Sequence, residues 1–261
     1  MAGLAVSSAE LGAWVGGYLW PLARIGAMLS IAPILGAQAV PARVRVGLAL
    51  LLTLVIAPLA PTPADLDPVS LAGLWVTVQQ VIIGLAMGFA LLLVFAAFIV
   101  GGQIFAMQMG LGFAALVDPQ RGVQVPVISQ FYVLVTTLVF LALDGHLVVV
   151  EVLAESFRLL PVGTAGLGGA GLWALVTWGQ EMFSGAVRIA LPAIATLMLV
   201  NLAFGVMMRA APQLNIFAVG FPITMTVGFL IMLWMLPAVP ARLQALAESA
   251  FALLRGPLLG G

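Results

Sequence analysis

The chain has 261 residues, of which 64% are hydrophobic and 7% charged, and its mean hydropathy is +1.24. Nine basic residues balance nine acidic ones. A soluble domain of this length still exposes most of its residues and could not hide so much apolar surface, so a soluble enzyme, a nucleic-acid binder and a disordered tail are excluded and the chain reads as an integral membrane protein. There is no cysteine and a single histidine, His146, which removes disulfides, thiol chemistry and any multi-histidine metal centre. Every basic residue is arginine, so P-loop lysine, Schiff-base and Ser–Lys chemistry are also out of reach, and zero net charge gives no pull towards nucleic acid.

Uncharged runs mark the membrane segments, because an ionised side chain at the bilayer centre costs about 2.5–3.5 kcal/mol even on the mildest scale. They predict helical spans near 11–31, 44–60, 71–100, 127–154, 182–208 and 215–237, an all-α protein with about six hydrophobic segments. In the first segment Ala37-Gln38-Ala39 imitates a signal-peptide cleavage box, but no basic residue precedes the apolar stretch and Arg24 interrupts it. Arg24 and Arg188 each fall inside an apolar run, which calls for intramembrane polar contacts. Glu181 shares a face with Arg188 at a distance of two turns. The pairs Gly12…Gly16 and Gly84…Gly88 have the spacing that lets helices approach closely, either within the chain or against a partner.

The uncharged run Pro68–Val117 would measure about 75 Å as one helix, too long for a bilayer, so a break is expected at Gly101–Gly102. Beyond it lies a broken, Met- and Gly-rich segment, Gln103–Pro119, and irregular backbone at membrane depth survives only against protein or a water-filled cavity. Further on, Asp144, His146, Glu151, Glu155 and Arg158 form the one cluster of ionisable side chains. On a continuous helix Asp144, Glu151, Glu155 and Arg158 fall within a stripe about 60° wide, while His146 points away. The cluster reads either as a helix end with a Glu155–Arg158 pair or as a proton relay. Gly166-Leu167-Gly168-Gly169-Ala170-Gly171 matches the dinucleotide fingerprint in letters alone, with no strand before it and no acid near 20 residues on, so it is read as part of a flexible linker over about 161–171. A C-terminal helix is expected over about 239–256. Arg43 and Arg45 favour a cytoplasmic first connection and Arg242 and Arg255 a cytoplasmic tail, yet six crossings would separate the two, so one segment is not a simple crossing.

Several stretches resemble the FliR family of flagellar export-gate proteins. Ala32-Pro33-Ile34-Leu35-Gly36 followed by Val40-Pro41-Ala42-Arg43-Val44-Arg45 is similar to its N-terminal region, and Met109–Pro119 to its central loop. Asp144-Gly145-His146, Arg209–Phe217 and Gly220-Phe221-Pro222 follow in the family's order, and the likeness runs from about residue 11 to 255. The injectisome homologues share the outline, but the Ala211-Pro212-Gln213-Leu214-Asn215 segment and the Asp144-Gly145-His146 triplet look more flagellar. The resemblance implies a single export-gate membrane domain, built like a FliP-like part followed by a FliQ-like part. It would lie in the bacterial inner membrane at the flagellar basal body, partly raised out of the bilayer. The implied partners are FliP-like and FliQ-like membrane proteins, an FlhB-like export component and unfolded flagellar subunits, with no catalytic residue, cofactor or metal.

An idle secretion channel must hold back ions yet admit an extended chain, and apolar constrictions do so by dewetting. Met107, Met109, Gly110, Leu111, Gly112, Phe113 and Leu116 suit such a pore-sealing loop, with pliable methionines and mobile glycines. Asp118, Pro119 and Arg121 would anchor its end. From the residues alone, Met and Phe could equally fill a core gap. The alternative is a secondary transporter or channel with a midplane site at the broken segment and Glu151 or Asp144 as coupling acid. A membrane enzyme would need convergent polar groups that the sequence scarcely contains.

Overall fold

In the computed structural model residues 8–36, 40–63, 66–111, 127–163, 165–210 and 216–260 are described, and every regular element among them is helical. The α-helices are α1 (Ser8–Ile31), α2 (Ala42–Ile56), α3 (Leu71–Gln108), α4 (Val127–Ala142), α5 (Gly145–Leu159), α6 (Gly169–Ala210), α7 (Ile216–Met235) and α8 (Val239–Leu253). A 3-10 turn, Ala57–Leu59, extends α2, another, Leu236–Ala238, joins α7 to α8, and a π-helical turn, Leu254–Leu258, follows α8. By length and composition four stretches can cross a membrane, Ala42–Leu59, Leu71–Gln108, Gly169–Ala210 and Val219–Leu258, and a fifth if the bent pair α4 and α5 counts as one span. The protein is a multi-pass, all-α membrane protein. α1, expected as the first span, is not among these, because Arg24, glycines and aromatic residues dilute its aliphatic content.

Two expected boundaries are corrected. The helix does not break at Gly101–Gly102: α3 continues unbroken for 38 residues, about 57 Å at about 1.5 Å per residue. A glycine inside a helix costs about 1 kcal/mol relative to alanine, but here close packing requires it. A carbon added at Gly101 would lie 3.0 Å from Ile189 Cγ2, and one at Gly102 2.8 Å from Ser129 Cα. Conversely, the span expected over 127–154 is interrupted. α4 stops at Ala142, and Asp144 takes a left-handed conformation, φ +55, before α5 begins at Gly145. Aspartate tolerates that region better than most residues, which makes the Asp-Gly pair a natural break.

The contacts group into two units, one formed by Met1–Leu93, Asp144–Gly179 and Ala247–Gly261, the other by Val94–Leu143 and Gln180–Leu246. In the first unit α1 and the N-terminal half of α3 meet backbone to backbone. A carbon on Gly84 would strike Arg24 O and lie 2.9 Å from Ala27 Cβ, and one on Gly88 would lie 2.8 Å from Met28 O. The Gly84…Gly88 spacing therefore serves a contact inside the chain. At the other end of the unit the start of α6 presses on the C-terminal turn, where a carbon on Gly171 would lie 2.9 Å from Leu258 O. Trp178 Nε1 donates to Ser249 Oγ at 2.9 Å. In the loop between α1 and α2, Arg45 donates to Leu35 O at 3.1 Å and to Gly36 O at 3.3 Å, holding a turn in which Ile34 sits at φ +71.

In the second unit the C-terminal half of α3 packs on α4 and α6. Phe95 meets Phe140 edge-on with centroids 5.4 Å apart, Ser129 Oγ donates to Ile99 O at 3.1 Å, and a carbon on Gly185 would lie 3.1 Å from Leu246 Cδ1. Pro192 has no N–H, so the turn before it lacks one helical bond. Arg242 reaches that turn, donating to Ile189 O at 3.4 Å.

Gly84→Ala is expected to destabilise the protein by about 1–3 kcal/mol, since the neighbour that must yield is backbone. Gly26→Ala, with open space around the added carbon, should stabilise it by up to about 1 kcal/mol. Thermal unfolding in detergent checks the pair; shifts of the same sign would show that the α1–α3 approach is not limiting.

Candidate functional site

The first unit is organised around Arg24, which is fully buried. Its Nε donates to Gln80 Oε1 at 2.8 Å, one terminal nitrogen to Ser156 O at 2.9 Å and Ser156 Oγ at 3.2 Å, and the other to Leu160 O at 2.8 Å. The guanidinium carbon stands 4.2 Å from the centroid of the Phe157 ring. All four acceptors are neutral, and two are carbonyls from the end of α5, where the helix dipole is negative. The charge is met by dipoles, one ring face and a planar fork of donors, an arrangement a lysine cannot reproduce. α1, α3 and α5 are thereby joined at one point.

The ionisable cluster resolves differently from the expected helix-end pair. Glu155 does not bond Arg158: Arg255 Nε donates to Glu155 Oε2 at 2.7 Å and Arg255 Nη2 to Glu151 Oε1 at 3.0 Å. The fork clips the C-terminal turn onto α5 at the surface. Asp144, His146 and Arg158 are exposed. Arg188, read from the sequence as lying deep in an apolar run, is on the outside of α6, while Glu181 accepts from Ser184 Oγ at 3.1 Å. Among the described residues no group of three or more His, Cys, Asp or Glu could hold a metal ion.

The central loop follows the end of α3, and its described part ends at Leu111. Leu111 N donates to Ala106 O at 3.0 Å and Gly110 N to Met107 O at 3.1 Å, the paired bonds of a glycine-terminated helix, with Gly110 at φ +81. This turn, rather than Gly101–Gly102, is where the long helix stops. Met107 is 68% exposed, Leu111 is half-buried and Met109 is fully buried. Gly112, Phe113, Leu116, Asp118, Pro119 and Arg121 lie outside the described residues, as do Ala37-Gln38-Ala39 and the Ala211–Asn215 stretch.

Sequence reasoning overlooked Gln80, Ser156 and Gly228. A signal existed for the first, since Gln79–Gln80 is a polar pair inside a 50-residue uncharged run. None existed for Ser156 or Gly228, whose importance comes from neighbours distant in the chain.

The described residues define an all-helical, multi-pass membrane protein whose buried arginine serves helix packing. Residues 15–250 match the family described as bacterial export proteins, family 1. The chain is 40% identical over 251 residues to the flagellar biosynthetic protein FliR of Escherichia coli (strain K12), covering 96% of each chain. It is 39% identical over 252 residues to that of Pectobacterium carotovorum subsp. carotovorum, again 96% of each, and 33% identical over 217 residues to that of Aquifex aeolicus (strain VF5), 83% of each. The chain therefore belongs to the FliR family of bacterial export proteins and is a component of the flagellar export apparatus.

Arg24→Met, which orphans buried acceptors at Gln80, Ser156 and Leu160, is expected to cost about 3 kcal/mol, and Arg24→Lys to recover only part of it. Glu151→Gln at the exposed fork should cost less than about 1 kcal/mol. Melting in detergent ranks the three; equal losses would show that Arg24 is not the node of its unit.

Proposed function

We propose that the chain is a core subunit of the flagellar protein export gate. It assembles with FliP-like and FliQ-like membrane proteins, next to an FlhB-like component, into the channel through which unfolded flagellar subunits cross the bacterial inner membrane at the basal body. It has no catalytic residue. The loop that begins at Met107 and runs through Met109, Gly110, Leu111, Gly112, Phe113 and Leu116 closes the idle channel, and Asp118, Pro119 and Arg121 anchor its far end.

The observation that carries this reading is the firm stop of α3 at Gly110, which launches the apolar loop from a helix about 57 Å long. A dry, apolar constriction blocks ions without any charged latch. Trp14, Trp173, Trp234, Leu199 and Val206 are each more than 60% exposed, apolar faces that partner helices or lipid can cover. The transporter alternative requires a sheltered coupling acid, whereas Glu151 is exposed and held by Arg255 and Asp144 is exposed at a helix break.

Deleting residues 112–116 is expected to leave assembly with the partners intact, as read by native mass spectrometry of the co-expressed complex, while the membrane becomes leaky to ions. A strain that carries the deletion, stays sealed and still exports would refute the sealing role. A protein that purifies only as a monomer or homodimer would refute the gate.

A further inference from the structure

The second half of α6 has two unlike faces. Ile189, Ala190, Ala193 and Leu197 are buried in the second unit, where the helix meets α3 and α8. The other face is bare. Leu191, Ala195, Met198, Leu202 and Gly205 follow one another at alternating steps of four and three residues, and all are exposed, the three long side chains by more than half. Arg188 stands three residues before this seam and Arg209 four residues after it, both exposed and in step with it. The two charges are thus about 32 Å apart along the helix. Alternating steps of three and four are the repeat by which one helix lies lengthwise on another. Among the described residues a carbon built on Gly205 meets nothing within 4 Å, so no contact inside the chain calls for a glycine there. Such a residue on an outward face lets the backbone of another helix come close.

The charges decide what covers the seam. Among the described residues the second unit carries Arg188, Arg209 and Arg242 against one acid, Glu181, which accepts from Ser184. Arg242 is turned to the backbone at Ile189, and no described acid pairs with Arg188 or Arg209. A second copy of the chain is a poor cover: parallel pairing would set Arg188 against Arg188, and antiparallel pairing Arg188 against Arg209, like charges at close range. Acyl chains need no helical repeat, and they would leave the exposed amide of Asn201, beside Leu202, without a hydrogen-bond partner. We propose that this face of α6 seats an apolar helix of a different subunit, one that packs lengthwise along Leu191–Gly205 and sets a carboxylate against Arg188. This rests on the reading of the chain as a subunit of a hetero-oligomeric gate, and it names the face and the chemistry of the partner. The pairing selects as well as binds, because a helix without the acid would strand the guanidinium between two apolar surfaces.

The test uses the chain co-expressed with its neighbouring membrane subunits and left in the native membrane. The photoreactive residue p-benzoylphenylalanine replaces Leu191, Met198 or Leu202 in the seam, and Ala203 or Met207 away from it as controls. On illumination the seam positions are expected to crosslink to one other membrane subunit at least tenfold more than the controls. Adducts with lipid alone, with a second copy of the chain, or equally from seam and control positions would overturn the proposal. Arg188→Glu and Gly205→Leu are each expected to lower the recovery of the hetero-complex at least tenfold by native mass spectrometry, while the chain by itself melts as the unaltered protein does. Reversing the sign of the partner acid that crosslinking places nearest Arg188 should restore the complex in Arg188→Glu. A complex indifferent to both substitutions would overturn the proposal as well. Failure of the gate reading has a separate signature, a chain recovered only as monomer or homodimer. A hetero-complex that forms while its seam crosslinks only to lipid sinks the docking face alone.

Discussion

A cation with no anion holds the first unit together. Arg24 is buried where an unsatisfied guanidinium could not persist, and its donors take the carbonyls at the end of α5, the Ser156 hydroxyl and the Gln80 amide. Because those acceptors sit on different helices, the charge can be accommodated only when α1, α3 and α5 occupy their observed places. A wrong helix register would leave the guanidinium without its acceptors, at a cost of several kcal/mol. Apolar burial cannot discriminate in this way, since nearly every face of the chain is apolar and lipid satisfies such faces equally well.

The glycines work beside this node. Gly84 and Gly88 let α3 slide against the α1 backbone where Arg24 itself is carried, so the close approach and the polar fork are parts of one contact. In the second unit Gly101, Gly102 and Gly185 play the same part against α6, α4 and α8. Dispersion forces depend steeply on distance, so a small-residue seam yields more contact than a larger side chain holding the backbones apart. This also explains how α3 carries two adjacent glycines without breaking: its neighbours supply what the helix loses locally.

Seen from function, the chain separates two tasks. Charged groups are kept on structure, as at Arg24, Arg45 and the Arg255 fork. The end of α3, by contrast, is uncharged and lies beside Gly228 of α7.

Much of this was legible in the sequence. Composition determined a membrane protein, because 64% hydrophobic residues and 7% charged residues cannot be housed in a soluble fold, and the long uncharged runs made it helical. Residue order along the chain identified the export family, but the irregular segment expected from Gln103 is helical as far as Gln108. Tertiary structure decided the rest. Whether Gly101–Gly102 breaks a helix or seats a neighbour depends on Ile189 and Ser129, which lie far along the chain. Likewise Glu155 takes Arg255, 100 residues away, over Arg158, three residues away, because the C-terminal turn is folded back onto α5. Arg188 and Arg24 look alike in sequence, each a lone cation in an apolar run, yet one is exposed and the other enclosed. Periodicity and composition report what a segment is made of. Which neighbour a side chain meets is set by how the helices pack, and that depends on contacts between residues the sequence keeps apart.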